Sequence, residues 1–338
     1  MREDLRLNIN KFTQDKFEIF LINLLIDIFP EIYLERYKNS LDDIKEYLIK
    51  KPKIIFSKYH IFHNDIFKLW AAEMVAEGSI LIVADHGGYI PLFIDHNLDH
   101  ESKVSNYHII ANDFKLNSNI IKLPTTIKVY GKKKYKFKNQ KNLTFIHREC
   151  GLYNFKVSSN MTVPNAFVEF EYLIGTIEKL ENKIKQNIKY KCINKTKSYF
   201  NNNFSKKYGP STIINSHEKY EKTLDNAKIL VHLYLSTPFY ESLHFNTPSL
   251  ILIPKKLWIF DDNFKKYLNE LEKKKILFYD PAELSEHVNN IWNNVNEWWF
   301  NKDRQNTIKM FLAASNYKNE NPVQDYYKFL KKILPTNF

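Results

Sequence analysis

The sequence predicts an α/β protein with two domains. Short apolar runs alternate with amphipathic segments along the chain, which is the pattern of α/β layers. At 338 residues the chain exceeds the usual size of one domain, so two domains of roughly 150 residues each are expected. We place the crossing between them in the basic, turn-rich region 115–141, which gives domains of residues 1–137 and 138–338.

The composition is that of a globular chain. Hydrophobic residues at 44% and aromatic residues at 15% exclude a disordered protein. The most apolar segment, which begins at Ile19, is interrupted by Asn23 and Asp27 and falls short of the ~20 residues that a membrane-spanning helix needs. It also lacks the basic flank and cleavage site of a signal peptide, so we expect a cytoplasmic protein. Cys150 and Cys192 alone predict neither a disulfide framework nor a zinc site.

The net charge of +12 requires an explanation. Lysine is interleaved with aromatic residues in 132–138 and again in 183–197. Such runs can bind nucleic acid, an anionic membrane surface or a phosphorylated ligand. However, Lys, Asn, Ile and Tyr are frequent throughout the chain, and solvated faces are the commoner explanation for each run. No recognisable nucleic-acid module occurs, so no specific nucleic-acid partner is expected.

In the first domain, a short strand over 53–56 is followed by a predicted helix over 62–77, which Gly78 ends. Glu73 lies on or beside the apolar face of this helix. An unpaired buried carboxylate is costly, so Glu73 is either paired at the edge of the core or directed into a cleft. The H-x-x-H at residues 60–63 supplies only two ligands and does not predict a metal site.

The next strand ends in the most informative motif. The apolar run Leu81–Ala84 leads directly into Asp85 and His86 and then into two of only seven glycines, Gly87 and Gly88. The glycines predict a turn at the carboxyl end of a buried strand, where open α/β sheets place ligands. Asp85 and His86 are therefore candidate functional residues. The alternative is a structural turn whose histidine is simply hydrogen-bonded.

A second strand repeats this arrangement in the second domain. The apolar residues 143–146 run into His147 and Arg148, with a glycine shortly after. Residues 166–189 then predict a long helix, and the Asn/Lys/Ser-rich stretch 194–211 predicts a loop.

The segment 227–253 contains a predicted anion site. A strand over 227–233 is followed by Ser236 and Thr237, by a helix that Pro238 opens, and by a strand over 249–253. Thr237 is expected to be the N-cap and Pro238 the first helical residue. A helix amino terminus with hydroxyls beside it favours phosphate or carboxylate, because its backbone N–H groups are free and its dipole is positive.

Glu241 lies one place too late for a capping box. It is a candidate to accept hydrogen bonds from ribose hydroxyls, and the alternative is a favourable interaction with the helix dipole. After it, we expect a strand over 275–278 and a helix over 281–299, with Trp298 and Trp299 as packing residues.

In order and spacing, these features resemble a known family. The residues that carry the resemblance are Trp70, Glu73, Gly78, His86-Gly87-Gly88, Ser236-Thr237, Glu241-Ser242-Leu243, Asn246-Thr247-Pro248 and Glu297-Trp298-Trp299. They resemble a family of bacterial surface-glycan transferases of the GT-B type that is associated with loci making nonulosonic acids, the sialic-acid-like sugars. The resemblance implies a GT-B-like fold, with two Rossmann-like domains facing one another across a cleft.

The implied activity is that of a metal-independent glycosyltransferase. It would move a sugar, by the resemblance a nonulosonic acid on a CMP-linked donor, to a surface-glycan acceptor. Metal-dependent transferases of the other large fold hold a divalent ion with an Asp-x-Asp, which this sequence lacks. A GT-B enzyme instead stabilises the departing phosphate with helix dipoles, hydroxyls and basic side chains. We therefore expect no metal, and no cofactor other than the nucleotide-sugar co-substrate.

Within this hypothesis, the C-terminal domain binds the donor. Ser236 and Thr237 contact phosphate, and Glu241 contacts ribose. His147 and Arg148 also line the donor site, where the arginine fork suits either the phosphate or the nonulosonate carboxylate. The alternative for Arg148 is an inter-domain ion pair.

The N-terminal domain presents the acceptor near Glu73 and the turn at Gly87 and Gly88. Either Asp85 or His86 deprotonates the attacking hydroxyl, and the sequence leaves this choice open. The basic surface is expected to hold the enzyme peripherally at an anionic inner membrane. Two rival hypotheses are a sugar-nucleotide epimerase of the same fold and, more weakly, a basic nucleic-acid-binding protein.

Overall fold

The computed structural model describes residues 2–47, 51–85, 96–114, 118–125, 140–148, 163–193 and 199–334. The chain divides into two compact units, residues 1–86 with 100–109 and residues 87–99 with 110–338. The predicted boundary between residues 137 and 138 lies outside the described residues and stays a prediction.

Up to residue 110, the described elements are three helices followed by three strands with helices between them. They are α1 (Arg2–Asn8), α2 (Lys16–Ile28), α3 (Tyr37–Tyr47), β1 (Ile54–Ser57), α4 (His60–His63), α5 (Asp65–Ala76), β2 (Ile80–Ala84), α6 (His96–Val104) and β3 (Tyr107–Ile110). β1, β2 and β3 form one sheet in that order. The next strand in the chain is β4 (Ile120–Lys122). β2 pairs in parallel with both β1 and β3. A strand with neighbours on both sides and covered faces is apolar throughout, which explains the continuous apolar run of β2.

The predicted helix over 62–77 is instead two helices. α4 ends at His63, and the side chain of Asn64 accepts a hydrogen bond from the backbone N–H of Phe67, which caps the start of α5. The predicted end of the helix is confirmed, because Gly78 follows α5 with a φ of 101°. This left-handed conformation favours glycine.

The second unit is built on a five-stranded parallel sheet. Its described elements are β5 (Asn142–Arg148), α7 (Val163–Glu178), α8 (Asn182–Lys185), β6 (Ile188–Ile193), α9 (Tyr199–Tyr208), α10 (Tyr220–Asn226), β7 (Ala227–His232), α11 (Thr237–His244), β8 (Ser249–Leu252), α12 (Asp262–Lys273), β9 (Leu277–Phe278), α13 (Pro281–Ile291), α14 (Val295–Trp299), α15 (Lys302–Ser315) and α16 (Pro322–Ile333). The strand order is β6-β5-β7-β8-β9, and every pairing is parallel.

Helices cover both faces of this sheet, as the side chains around β8 illustrate. Leu250 and Leu252 belong to the core that includes α7 and α13, whereas Ile251 and Ile253 belong to the core that includes α11, α12 and α15. Successive side chains of a strand point to opposite faces, so one strand supplies both cores.

The predicted helix over 166–189 is wrong in its second half. α7 ends at Glu178, and β6 occupies residues 188–193. Ile188, Tyr190 and Cys192 belong to the core and alternate with Lys189 and Lys191, so the pattern has a period of two rather than 3.6. Lys191 is itself buried, and the cost of burying its ammonium is offset by hydrogen bonds that it donates to two backbone carbonyls.

The predicted loop over 194–211 is also wrong, since residues 199–208 form α9. Phe200 and Phe204 lie one helical turn apart and are both buried in the core, and this packing stabilises a helix of otherwise unfavourable Asn/Lys/Ser composition. The predicted helix over 281–299 is divided into α13 and α14.

Candidate functional site

The carboxyl edge of the five-stranded sheet contains a topological switch point. β5 and β7 are neighbours, but β5 is followed in the chain by β6 on one side, whereas β7 is followed by β8 on the other. In open parallel sheets, ligands bind outside the carboxyl ends of the two strands at which the order reverses. Arg148 is the last residue of β5, and Ser236 follows the end of β7. The fold therefore brings two of the predicted site segments to one edge.

Arg148 is held at this edge by two aromatic rings. The carbon of its guanidinium lies 5.3 Å from the centroid of the Tyr234 ring and 5.1 Å from that of Trp258. Both distances are within the range of cation–π attraction. About a third of the arginine side chain, 32%, stays exposed. The guanidinium is thus orientated by packing, and part of the arginine side chain is open to solvent.

A carboxylate that the sequence did not reveal lies beside Arg148. Oε1 of Glu169, on α7, is 3.6 Å from Nη2 of Arg148, which is an ion-pair distance but longer than a good hydrogen bond. The Glu169 side chain is only 1% exposed, and burial raises its pKa to about 8 even though Arg148 opposes the shift. This ion pair lies within the second unit, so it is not the inter-domain pair considered as the alternative for Arg148.

His147 lies directly behind this pair and is fully buried. Its Nδ1 shares a hydrogen bond of 2.7 Å with the hydroxyl of Tyr190, and its Nε2 lies 3.7 Å from Oε2 of Glu169. Burial, together with the nearby charge of Arg148, lowers the pKa of His147 to about 3. The imidazole is therefore neutral at physiological pH.

The start of α11 supplies polar groups to the same edge. Ser236 is the N-cap residue and Thr237 the first helical residue, so the expectation of Thr237 as N-cap is wrong by one position. The extended backbone of Ser236 and the fixed φ of Pro238 place the helix start one residue earlier. The Ser236 side chain makes no capping hydrogen bond. Both residues are half-buried.

Glu241 lies in the second turn of α11 and is half-buried. Tyr234, whose ring lies against Arg148, is fully buried, and this burial raises its pKa. The negative charges of Glu169 and Glu241 add to the shift, whereas Arg148 opposes it. Glu241 is therefore within electrostatic range of the aromatic ring that holds Arg148.

In the first unit, Asp85 directly follows β2. Its backbone N–H donates to the carbonyl of Ile109, and its side chain is 12% exposed. Oδ1 lies 4.0 Å from Nε2 of His108, a fully buried histidine on β3 that is also 3.2 Å from a carboxylate oxygen of Glu101. His108 and Glu101 carried no sequence signal, because their proximity depends on the pairing of β2 with β3.

The other predicted residues of this unit are only partly described. Glu73 is half-buried on α5 and accepts a long hydrogen bond, 3.4 Å, from the hydroxyl of Tyr37 on α3. His86, Gly87 and Gly88 lie outside the described residues.

Two further properties bear on the site. Within the described ranges, no three His, Cys, Asp or Glu side chains are grouped so that they could hold a metal ion. None of the helices in the described part of the chain is both long and apolar enough to cross a bilayer.

The fold, together with the polar cluster at the carboxyl edge of the five-stranded sheet, places the protein in a structural class. Parallel sheets covered by helices, with a polar cluster at a switch point, are α/β architecture, and solved structures identify it as the GT-B type. A structure from Listeria monocytogenes assigned as UDP-N-acetylglucosamine 2-epimerase is similar with a TM-score of 0.54 and 10% identity, over 87% of this chain and 78% of that one. The S. aureus MnaA–UDP structure is similar with a TM-score of 0.52 and 10% identity, and the alignment covers 94% of this chain and 88% of that one. The predicted fold class is confirmed.

The family then follows from the sequence match. Residues 1–330 match the model of the LIC12162 family transferases, and the chain belongs to this family. The prediction of a transferase is thereby confirmed. The structure of TarM aligns with a TM-score of 0.48 and 14% identity over 84% of this chain, which spans 56% of TarM. No curated protein sequence matches the chain.

Proposed function

We propose that this transferase is a metal-independent glycosyltransferase that binds its nucleotide-sugar donor at the carboxyl ends of β5 and β7. One observation carries the proposal: an aromatic-held, partly exposed Arg148 and the start of α11 lie at the same switch point of a parallel sheet. An arginine fork together with a helix amino terminus is a strong combination for a phosphate.

The proposed chemistry is stabilisation of the leaving phosphate. The fixed positive charge of Arg148 stabilises the negative charge that accumulates on the phosphate as the bond to the sugar breaks, and the hydroxyls of Ser236 and Thr237 donate to phosphate oxygens. Glu241 accepts hydrogen bonds from the ribose. His147 stays neutral behind Arg148 and acts on the donor site through its neighbours, because its own ring is enclosed. The S. aureus MnaA structure, which contains UDP, supports nucleotide binding on this fold.

We further propose a CMP-linked nonulosonate as the donor sugar. The support is the sequence resemblance given above and the capacity of Arg148 to bind either a phosphate or a carboxylate. On the acceptor side, residues 1–137 present the surface glycan, and Asp85 or His86 removes the proton of the attacking hydroxyl. Residues 138–338 bind the donor.

We propose peripheral contact of a cytoplasmic enzyme with an anionic inner membrane. The net charge of +12 supports such contact. Binding to vesicles that contain anionic lipid, lost on raising the salt concentration, is the expected result. Equal binding to neutral vesicles would contradict it.

The donor proposal is tested by a thermal-shift screen against nucleotides. A ligand at about 100 times its Kd stabilises the folded state by about 2.7 kcal/mol, so a rise of several degrees is expected with cytidine monophosphate. Glu241→Ala should abolish this rise. Glu286→Ala, an exposed carboxylate on α13 of the same unit, is the matched control and should leave the rise intact. Failure of every nucleotide to shift the melting temperature would refute the proposal.

Metal independence has its own measurement. Transfer of the sugar should continue in excess EDTA, since the proposed stabilisation uses only Arg148, hydroxyls and the helix dipole. Loss of transfer in EDTA and its recovery on adding Mg²⁺ or Mn²⁺ would overturn this part of the proposal.

A sugar-nucleotide epimerase is the second candidate, because a structure assigned to that activity has the same fold. Incubation of the protein with a nucleotide sugar and no acceptor separates the two. An epimerase converts the sugar under these conditions, whereas a transferase needs the acceptor.

A further inference from the structure

Glu169 occupies an unusual position for a carboxylate. Its side chain is 1% exposed, and its Oε2 accepts no hydrogen bond from the described residues. The guanidinium of Arg148, 3.6 Å away, is the described cation that faces it. Burial of a carboxylate with so few partners is unfavourable when the group is charged.

Among the described residues, the other titratable groups near Glu169 add no positive charge. His147 of β5 lies 3.7 Å away and is neutral, because burial holds its pKa near 3. Burial raises the pKa of Tyr234, which follows β7, so its phenol is neutral, and the hydroxyl of Tyr190 on β6 shares a hydrogen bond with His147. In the described part of the chain, Arg148 is therefore the cation that stabilises an ionised Glu169.

Arg148 has two sides with different partners. The two aromatic rings hold the guanidinium, Glu169 lies on its buried side, and about a third of the side chain is exposed. Nothing in this arrangement satisfies all five guanidinium N–H donors, and the Nε atom is buried without a hydrogen bond among the described residues. An anion arriving from the exposed side would compete with Glu169 for the same charge.

We propose that the ionised form of Glu169 is the internal counter-ion of an anion site at Arg148, and that a bound phosphate or carboxylate replaces it, so that Glu169 binds the anion-free guanidinium only when ionised and takes up a proton from solvent when the anion arrives. The ligand class, an anionic nucleotide ester, rests on the proposed function. The step is a proton transfer: an O–H bond forms on Glu169, the bond between the proton and its buffer donor breaks, and the anion itself binds without a covalent bond. One proton moves from buffer to a Glu169 oxygen, and the total charge of the site is balanced by the incoming anion.

The proposal predicts in which direction protons move on binding and how the Kd changes with pH. The pKa of Glu169 in the free protein, raised to about 8 by burial, means that the carboxyl is mostly protonated at pH 7 and mostly ionised at pH 9. Binding should then take up roughly 0.1 proton at pH 7 and about 0.9 at pH 9, and the Kd should rise about tenfold between these pH values.

The experiment is calorimetric titration of the full chain at pH 7 and pH 9, each in two buffers of different ionisation heat. The probe is CMP-N-acetylneuraminate, whose phosphate is a diester and which has no group that titrates in this range. Wild-type protein should show the proton uptake at pH 9. Glu169→Gln should bind with a Kd that is nearly independent of pH and take up no proton. Glu171→Gln, exposed on the same helix, should behave as wild type.

Three results decide the matter. Wild-type binding without proton uptake at pH 9 would overturn the proposal without any variant, and so would uptake that persists in Glu169→Gln. If the nucleotide ester does not bind, the proposed function fails, and the same titration with sulfate tests the anion site by itself. Proton-linked sulfate binding that Glu169→Gln abolishes would support the inference, and its absence would overturn it.

Discussion

The buried Glu169 carboxyl should make the stability of the free protein depend on pH in a specific way. In the unfolded chain the group titrates near 4.5, and in the folded protein burial raises its pKa to about 8. The folded state therefore holds more protons between these values, and its stability falls as the pH rises through this window. Above pH 8 both states are ionised, so the loss levels off.

The magnitude follows from the two pKa values. One proton of difference changes the free energy of unfolding by about 1.4 kcal/mol per pH unit. Because this slope vanishes near pH 8, the loss between pH 6 and pH 9 is about 3 kcal/mol. Glu169→Gln removes the titrating group and should not suffer this loss. The advantage of the variant over wild type should thus grow by about 3 kcal/mol across the range.

Urea denaturation at several pH values measures this difference. Trp258, Trp292, Trp298 and Trp299 lie in the second unit with Glu169, so tryptophan fluorescence mainly reports unfolding of that unit. Glu171→Gln is the control and should differ from wild type by a constant amount. A difference between Glu169→Gln and wild type that does not change with pH would refute the assignment of a raised pKa to Glu169.

Three further predictions concern stability. Tyr190→Phe leaves Nδ1 of the buried His147 without its 2.7 Å hydrogen bond and should lower the free energy of unfolding by about 1–2 kcal/mol; an unchanged urea midpoint would contradict it. Trp299→Phe should cost about 2 kcal/mol, since the fully buried indole N–H donates to the carbonyl and side-chain oxygens of Asn246; a melting temperature equal to wild type would count against this packing. Lys275→Gly should stabilise the folded protein by roughly 0.5 kcal/mol, because Lys275 has a φ of 57° that glycine adopts without strain. A lower stability of Lys275→Gly than of Lys275→Ala would argue against backbone strain at this position.

Strong local signals in the sequence predicted several elements correctly. The apolar run at Leu81 predicted β2, Gly78 predicted the end of a helix, and Pro238 predicted the start of α11 to within one residue. Each depends on a property of neighbouring residues, namely a continuous apolar run, a φ that glycine favours or a fixed proline φ. Such properties can be read without knowing the tertiary structure.

Elements whose pattern is set by distant contacts were missed. The predicted helix over 166–189 ran into the start of β6, and no strand was predicted there, because the lysines of β6 mask a period of two. The burial of Lys191 depends on the carbonyls of Asn215 and Glu218, more than 20 residues away. α9 was predicted as loop because only Phe200 and Phe204 mark its buried face.

The residues of the candidate site also divide into those that the sequence predicted and those that only the fold reveals. Arg148 and Ser236 were predicted because each follows an apolar strand, and parallel pairing of β5 with β7 brings them to one edge. Glu169 was missed, since a single carboxylate on an amphipathic helix carries no signal until the fold places it beside Arg148. Likewise, His108 approaches Asp85 only through the pairing of β2 with β3.

A crystal structure of the protein with cytidine monophosphate tests the central claim most directly. We expect the phosphate within hydrogen-bond distance of the Arg148 guanidinium and of a hydroxyl at Ser236 or Thr237, with the ribose near Glu241. A nucleotide bound elsewhere, with Arg148 still facing only Glu169, would contradict the assignment of this edge as the donor site.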